Sequence, residues 1–263
     1  MTILDKIIAD KKREVALKKS IISVNQLELY DLFGKKTISL SESIKNSSGI
    51  IAEHKRRSPS KQTINCSFSV EEVVKGYENS GASGISVLTD VKYFGGSLED
   101  LQLARASVKI PVLRKEFIID RYQILEAKSN GADAILLIAS VLTQSEIKQL
   151  SEFAKSLSLE VLLEIHNQEE LEKALMPSLD LIGVNNRNLK NFEISLKNSY
   201  DLAEMIPNEF LKISESGINS PQDVLALKKY GFNGFLIGET FMKTDDPGKS
   251  LAQFIKDLDL KNS

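Results

Sequence analysis

The 263-residue chain has one cysteine, Cys66, and two histidines, His54 and His166. A single cysteine excludes a disulfide within the chain and a thiolate metal cluster, and it fits a reducing compartment. Cys66 lies between Asn65 and Ser67 and reads as incidental rather than as a nucleophile. The histidines are far apart and lack ligand spacing, so no zinc or iron site is expected. Neither sign of charge dominates. The formal net charge of -2 makes no electrostatic case for nucleic acid or an anionic membrane. No segment approaches the ~18 uninterrupted apolar residues of a spanning helix. The N-terminus has no apolar stretch of signal-peptide length and no small-residue cleavage site, so the expected location is cytoplasmic. The 42% hydrophobic and 27% charged content is that of an ordinary globular protein able to bury a sizeable core.

Residues 1–48 differ from the rest. Leu4, Ile7, Ile8, Val15 and Leu17 fit one or two amphipathic helices. Lys11, Lys12, Arg13, Lys18 and Lys19 read as their solvated face. From residue 49 onward a rhythm sets in, with short apolar runs at 49–53, 84–88, 111–115, 133–139, 159–165, 180–185, 210–214 and 234–238. Most are nearly continuous rather than alternating, as in strands buried on both faces of a parallel sheet. Helical patterns fill the gaps. Ser69–Glu72 and Thr143–Glu146 are capping boxes, and Ser220-Pro221 and Asp246-Pro247 each pair an N-cap with proline at the first helical position. Gly81, Gly131 and Gly231 stand where helices should end and strands begin. Eight such units predict a closed (β/α)8 barrel over 49–263 with a helical extension over 1–48, together one domain. An open doubly wound sheet is the runner-up, but the turn after the first strand, Lys55 to Ser60, has no glycine.

In such a barrel the active site forms at the C-terminal ends of the strands. There the first strand delivers Glu53 and Lys55, two residues apart and therefore on one face. The third delivers Lys115, the fifth Glu164, the sixth Asn185 and Arg187, the seventh Ser214 to Gly217, and the eighth Gly238 and Glu239. Singly, Glu53 and Lys55 could be a plain ion pair, Lys115 a surface lysine and Glu164 a helix cap. Jointly, carboxylates and amines on alternate strand ends make a kit for general acid/base chemistry. Ser216-Gly217 and Gly238-Glu239, after the last two strands, fit the phosphate site common in barrels.

With these residues assembled, the chain resembles the indole-3-glycerol phosphate synthase family. The resemblance rests on IIAEHKRRSPS, SVLTDVKYFGGS, PVLRKEF, LLEIHN, IGVNNRNL, ISESGI and FLIGETFM, spread over residues 50–242. It implies conversion of 1-(2-carboxyphenylamino)-1-deoxyribulose 5-phosphate to indole-3-glycerol phosphate with loss of carbon dioxide and water, without cofactor or metal. It implies Lys115 as general acid for ring closure and Glu164 as the base of later steps. Glu53 and Lys55 would serve dehydration and substrate placement, with Asn185 and Ser216 positioning the substrate and Arg187 contacting an anion. Gly217, Gly238 and Glu239 would cradle the phosphate, and Ser58 would lie on a mobile loop after the first strand. Phe94, Phe117, Leu136 and Phe192 would wall the anthranilate ring, although each could equally be plain core. The implied partner is a small phosphorylated substrate, taken by a monomer with transient contact to other tryptophan-pathway enzymes.

Two residues depart from the family pattern. Gln62 replaces a glycine common in the loop after the first strand, which predicts a stiffer loop. Glu239 stands where some relatives have a small hydroxyl residue, and its carboxylate is expected to point away from phosphate. Competing readings are a phosphoribosylanthranilate isomerase-like barrel, a Schiff-base aldolase through Lys115, and a non-catalytic barrel that binds phosphorylated metabolites. The isomerase would use a Cys/Asp pair, whereas the first strand here ends in Glu53.

Overall fold

Eight parallel strands close into one barrel in chain order, β1 to β8, with β1 hydrogen-bonded to β8. The structure, a computed structural model, describes residues 2–188 and 192–262. Leu189, the last residue of the IGVNNRNL motif, lies outside the described residues. The strands are β1 (Ile50–His54), β2 (Gly84–Leu88), β3 (Val112–Lys115), β4 (Ala134–Ile138), β5 (Glu160–Ile165), β6 (Leu181–Asn185), β7 (Leu211–Glu215) and β8 (Gly234–Ile237). Each falls on one of the eight apolar runs, and the (β/α)8 expectation holds.

Why the runs are continuous is visible in the packing. Ile51, Leu113, Leu162 and Ile213 point into the barrel with Ala134, Leu136, Leu181 and Leu236. Their neighbours Ile50, Ala52, Val112, Val161 and Ile182 face the surrounding helices. Both faces are dry, so a polar residue inside a strand needs a protein partner, as Arg114 on β3 has in Thr89 and Glu126. Leu40 and Ile44, on α3 (Leu40–Asn46), join the inner cluster.

The start signals work as read. Ser69 and Glu72 close a reciprocal capping box at α4 (Val70–Asn79), Thr143 and Glu146 at α8 (Gln144–Ser156), and Ser220 and Asp223 at α11 (Pro221–Lys228). The Asp246 carboxylate accepts from the Lys249 N–H at 2.9 Å as α13 (Pro247–Asn262) begins. Gly81, Gly131 and Gly231 share φ between +83° and +91°, the left-handed turn that sends each helix into the next strand.

The N-terminal extension corrects one expectation. It forms α1 (Ile3–Ile21), α2 (Val24–Glu28) and α3, and the face of α1 that docks is Ile7, Lys11 and Val15, spaced four apart. Lys11 is not solvated. It is 1% exposed, and its ammonium lies 2.7 Å from Glu14, 3.0 Å from Asp90 and 3.1 Å from Glu116. Leu17, assigned to the apolar stripe, is 62% exposed. A basic run on a helix usually faces water, but two buried carboxylates on the barrel supply what solvent would.

Candidate active site

The inward positions come in layers. In a parallel barrel, four strands of one parity contribute side chains at one height. Two residues past inward Ile51, Leu113, Leu162 and Ile213 come Glu53, Lys115, Glu164 and Glu215. The odd strands therefore bring three carboxylates and an ammonium to one level at the C-terminal mouth. The Lys115 ammonium is hydrogen-bonded to Glu215 and lies 3.4 Å from Glu164. Lys55 follows β1 and donates to Glu53 at 2.7 Å, while Ser86 Oγ on β2 reaches the other oxygen of Glu53 at 3.4 Å.

Glycines on β6 and just past β8 leave room for this layer. A Cβ at Gly183 would collide with the Glu215 carboxylate, and one at Gly238 would lie 2.7 Å from a carboxylate oxygen of Glu53. His54 and Arg56 take the opposite face of β1, as the alternation requires. Arg56 forms a two-pronged pair with Asp100, and His54 is buried, its pKa pushed down to about 4 by burial and the Arg56 charge.

With three carboxylates and two ammoniums in one pocket, the charges do not cancel. Burial opposes the Lys115 ammonium, but the charges of Glu215, Glu164 and Glu53 outweigh it and raise the pKa. Burial likewise opposes the Glu53 carboxylate, and Lys55 and Lys115 win and lower its pKa. Glu215 is the surplus acid. Burial lifts it to about 7 against the pull of Lys115, and the charges of Glu164 and Glu53 add to the rise. Its Oε1 is buried without a hydrogen-bond partner. The centre thus keeps Lys115 protonated, as a general acid must be, beside carboxylates able to take a proton.

Around this layer lies a cavity of about 990 Å³, part of it open to solvent. Phe94, Phe117, Leu136, Ile138 and Phe192 form its apolar wall, with the Phe94 and Phe117 ring centroids 5.9 Å apart. Ile3, Leu4 and Ile7 of α1 also line it, a contribution sequence reasoning missed. Asn185 reaches the cavity from the end of β6, its Oδ1 accepting from the Arg187 N–H at 2.9 Å.

A second hollow opens beside it, lined by Ser216, Gly217, Gly238 and Glu239 together with Lys55 and Arg187. Ser216 and Gly217 have φ of +66° and +79°, a tight turn in which a non-glycine residue carries strain. Gly238 precedes the short helix α12 (Glu239–Met242), which has no side-chain cap. The Glu239 carboxylate turns to the loop after β1, 3.1 Å from Lys61 and 3.9 Å from Arg187. Burial would raise its pKa, but Lys61, Lys55 and Arg187 hold it low. That loop folds at Ser58–Lys61, and Arg187 donates to Ser60 Oγ at 3.2 Å. Gln62 is exposed on it, as is Cys66.

The residues given catalytic, substrate or phosphate roles thus line one of two adjoining hollows, whereas Ser214 faces the other side of β7 and bonds to Asn186 and Ser199. Glu215 was placed at the mouth of the seventh strand but given no role. It stood at the end of the seventh run, and the signal was present: an inward apolar residue followed two positions later by a charge, as on β1, β3 and β5.

The model of the family described as "Indole-3-glycerol phosphate synthase" matches residues 4–254. A protein of that name from Bacteroides thetaiotaomicron is 50% identical over 259 residues, covering 97% of this chain and 98% of the relative. Another, from a Polaromonas species, is 43% identical, covering 95% of this chain and 97% of the relative. Among solved structures, a chain of the tryptophan synthase a2b2 complex from Pyrococcus furiosus aligns with a TM-score of 0.59 at 18% identity. It covers 80% of this chain and 97% of that one, a likeness of fold alone. With the family model and both relatives running through every strand that carries a mouth residue, the chain belongs to the indole-3-glycerol phosphate synthase family.

Proposed function

We propose that this mouth carries out the ring closure, decarboxylation and dehydration that turn 1-(2-carboxyphenylamino)-1-deoxyribulose 5-phosphate into indole-3-glycerol phosphate, with Lys115 as the general acid. By family the chain is a carboxy-lyase of tryptophan biosynthesis. The observation that carries the assignment of roles is the Lys115 ammonium held between Glu164 and Glu215.

The substrate phosphate lies at Gly217 and Gly238, where backbone N–H groups and nearby Arg187 favour an anion. The anthranilate ring lies among Phe94, Phe117, Leu136 and Phe192. Lys115 gives its proton to the ribulose carbonyl oxygen as the ring carbon bearing the carboxylate attacks the carbonyl carbon. The bond to carbon dioxide then breaks, and its electron pair restores the aromatic ring. In the last step the new hydroxyl leaves with a proton as water. Glu164 removes a proton from the methylene next to nitrogen, while Glu53 and Lys55 hold and protonate the departing hydroxyl. Asn185 and Ser216 keep the sugar in register. Glu215, whose pKa burial raises, balances the charge on Lys115 as it cycles. A Schiff base through Lys115 is disfavoured because its amine is held as an ammonium. With this reading go the finer expectations of a cytoplasmic monomer and of transient contact with pathway enzymes.

The test is direct. Indole fluorescence should appear when the carboxyphenylamino-deoxyribulose phosphate is added to purified protein, and folded protein that gives none removes the assignment. Gly238→Ala probes the packing of the mouth. The new Cβ would press on Glu53 at 2.7 to 3.1 Å. A displacement of that size is expected to lower kcat/KM by on the order of a hundredfold, with the circular dichroism spectrum unchanged. Wild-type kinetics in this variant would mean that Glu53 need not be held there.

A further inference from the structure

One buried titratable group beside the acid/base layer has no part in the steps above. His166 follows β5, and its ring lies between two carboxylates. Nε2 is 3.6 Å from Glu164 Oε1, and Nδ1 is 3.3 Å from Glu170 Oε2. Glu170 is fixed in place: the same oxygen accepts from the His166 backbone N–H at 2.8 Å, and its other oxygen accepts from Asn167 at 3.1 Å. Asn167 in turn caps α9 (Gln168–Ala174), so the helix start determines where Glu170 points. Nε2 is buried and has no hydrogen-bond partner. It faces a carboxylate, and two acceptors face each other stably only with a proton between them. On its other side the ring opens on a polar hollow that also holds Asn185 and Arg187, both shared with the reaction cavity.

The chemistry supplies a use for that proton. With its carboxylate ionised, the substrate loses carbon dioxide and hydroxide and releases one carbon-bound proton. Two protons are added to oxygen and one leaves carbon, so each turnover consumes one proton. The acid/base layer is buried, and a bound substrate covers it. The proton therefore needs a route other than the mouth.

We propose that His166 is that route: held as an imidazolium between Glu164 and Glu170, it passes the proton consumed in each turnover from the polar hollow to Glu164. Nε2–H transfers its proton to Glu164 Oε1, leaving a neutral ring with Nδ1–H on Glu170; a turn of the ring then presents the bare nitrogen to the hollow, where solvent recharges it. Glu164 passes the proton on to Lys115, 3.4 Å away, and the proton it later takes from the methylene returns to the Glu53–Lys55 pair, so that each donor ends the cycle recharged. The charged groups around the ring are Glu164 on β5, Glu170 on α9 and Glu215 on β7, with Arg187 and Glu193 across the hollow and Lys115 beyond Glu164. Burial disfavours the imidazolium, but the hydrogen bond to Glu170 and the charges of Glu164, Glu170 and Glu215 outweigh it and raise its pKa above 6.5. The ring is thus charged below 6.5 and loses its proton, with any stability that charge provides, only as the pH climbs through the raised value. His166 touches no reacting atom and is a positioning and relay residue. Its role rests on the lyase reading, but its protonation does not.

The chain has only two histidines, and burial and the Arg56 charge hold His54 neutral, its pKa well below the ordinary imidazole range. Imidazole NMR between pH 5 and 9 therefore reports His166 alone. The expected midpoint lies above 6.5, and Glu170→Gln, which can still accept the backbone N–H, should move it down. A midpoint at or below 6.5, or one unmoved in Glu170→Gln, overturns the proposal whether or not the protein makes indole-3-glycerol phosphate. In turnover, His166→Asn is expected to lower kcat about tenfold with KM within about twofold, the range of a lost acid/base assistant. The deficit should grow with pH as free protons become scarce, and added imidazole should restore part of the rate. A pH-independent loss that imidazole does not relieve, or no loss at all, also overturns it.

Discussion

Lys115→Ala is expected to lower kcat about a thousandfold, within the range for loss of a positioned general acid. The ammonium is the cation shared by Glu164 and Glu215, and no neighbouring lysine replaces it, because Lys55 is engaged with Glu53. Without it the carbonyl oxygen would develop its charge facing carboxylates, which raises the barrier rather than leaving it unassisted. The carboxylates left behind can take up protons, so the barrel should fold, and circular dichroism checks that. Lys115→Met separates the charge from the packing and should be as inactive as the alanine variant. Cys66→Ala, at an exposed position outside both hollows, is the control and should keep wild-type rates. If Lys115→Ala turns over within tenfold of wild type, Lys115 is not the acid.

The second large effect is on stability. Lys11→Ala should lower the melting temperature by roughly 10 °C, since removing one partner of a buried ion pair costs about 3–5 kcal/mol and a chain of this size loses about 2–4 °C per kcal/mol. Burial opposes the Lys11 charge, yet Glu116 and Asp90 overcome it and raise its pKa, so the ammonium is firmly paired. Its partners also build the substrate cavity. Asp90 accepts from the Tyr93 and Phe94 N–H groups at 2.6 and 3.2 Å, and Glu116 accepts from the Phe117 N–H at 2.8 Å. Losing Lys11 therefore loosens both aromatic walls as it loosens α1, and KM should rise in parallel with the thermal loss. A variant that melts and binds like wild type would mean that α1 is held by its apolar contacts alone.

Lys11 and Glu215 mark where reading the sequence stopped. Both are charges whose partners come from distant chain segments. Lys11 carries the pattern of a solvated helix face, and only docking onto Asp90 and Glu116 reverses it. Glu215 was visible at a strand end, but its weight comes from sharing a level with Glu53, Lys115 and Glu164, a consequence of barrel stagger rather than of any local motif. The apolar roof of Ile3, Leu4 and Ile7 is illegible for the same reason.

By itself the sequence determined the eight strands, the helix starts and the residues at the strand mouths. Hydrophobic periodicity, caps and glycine turns are local physics, written within a few residues of where they act. The family motifs lie at those same mouths. Only the tertiary structure decided which charges meet, which of them are dry, and therefore which protons are held. Those outcomes depend on Coulomb interactions across the barrel, at distances set by closure and layering and not by neighbours in the chain.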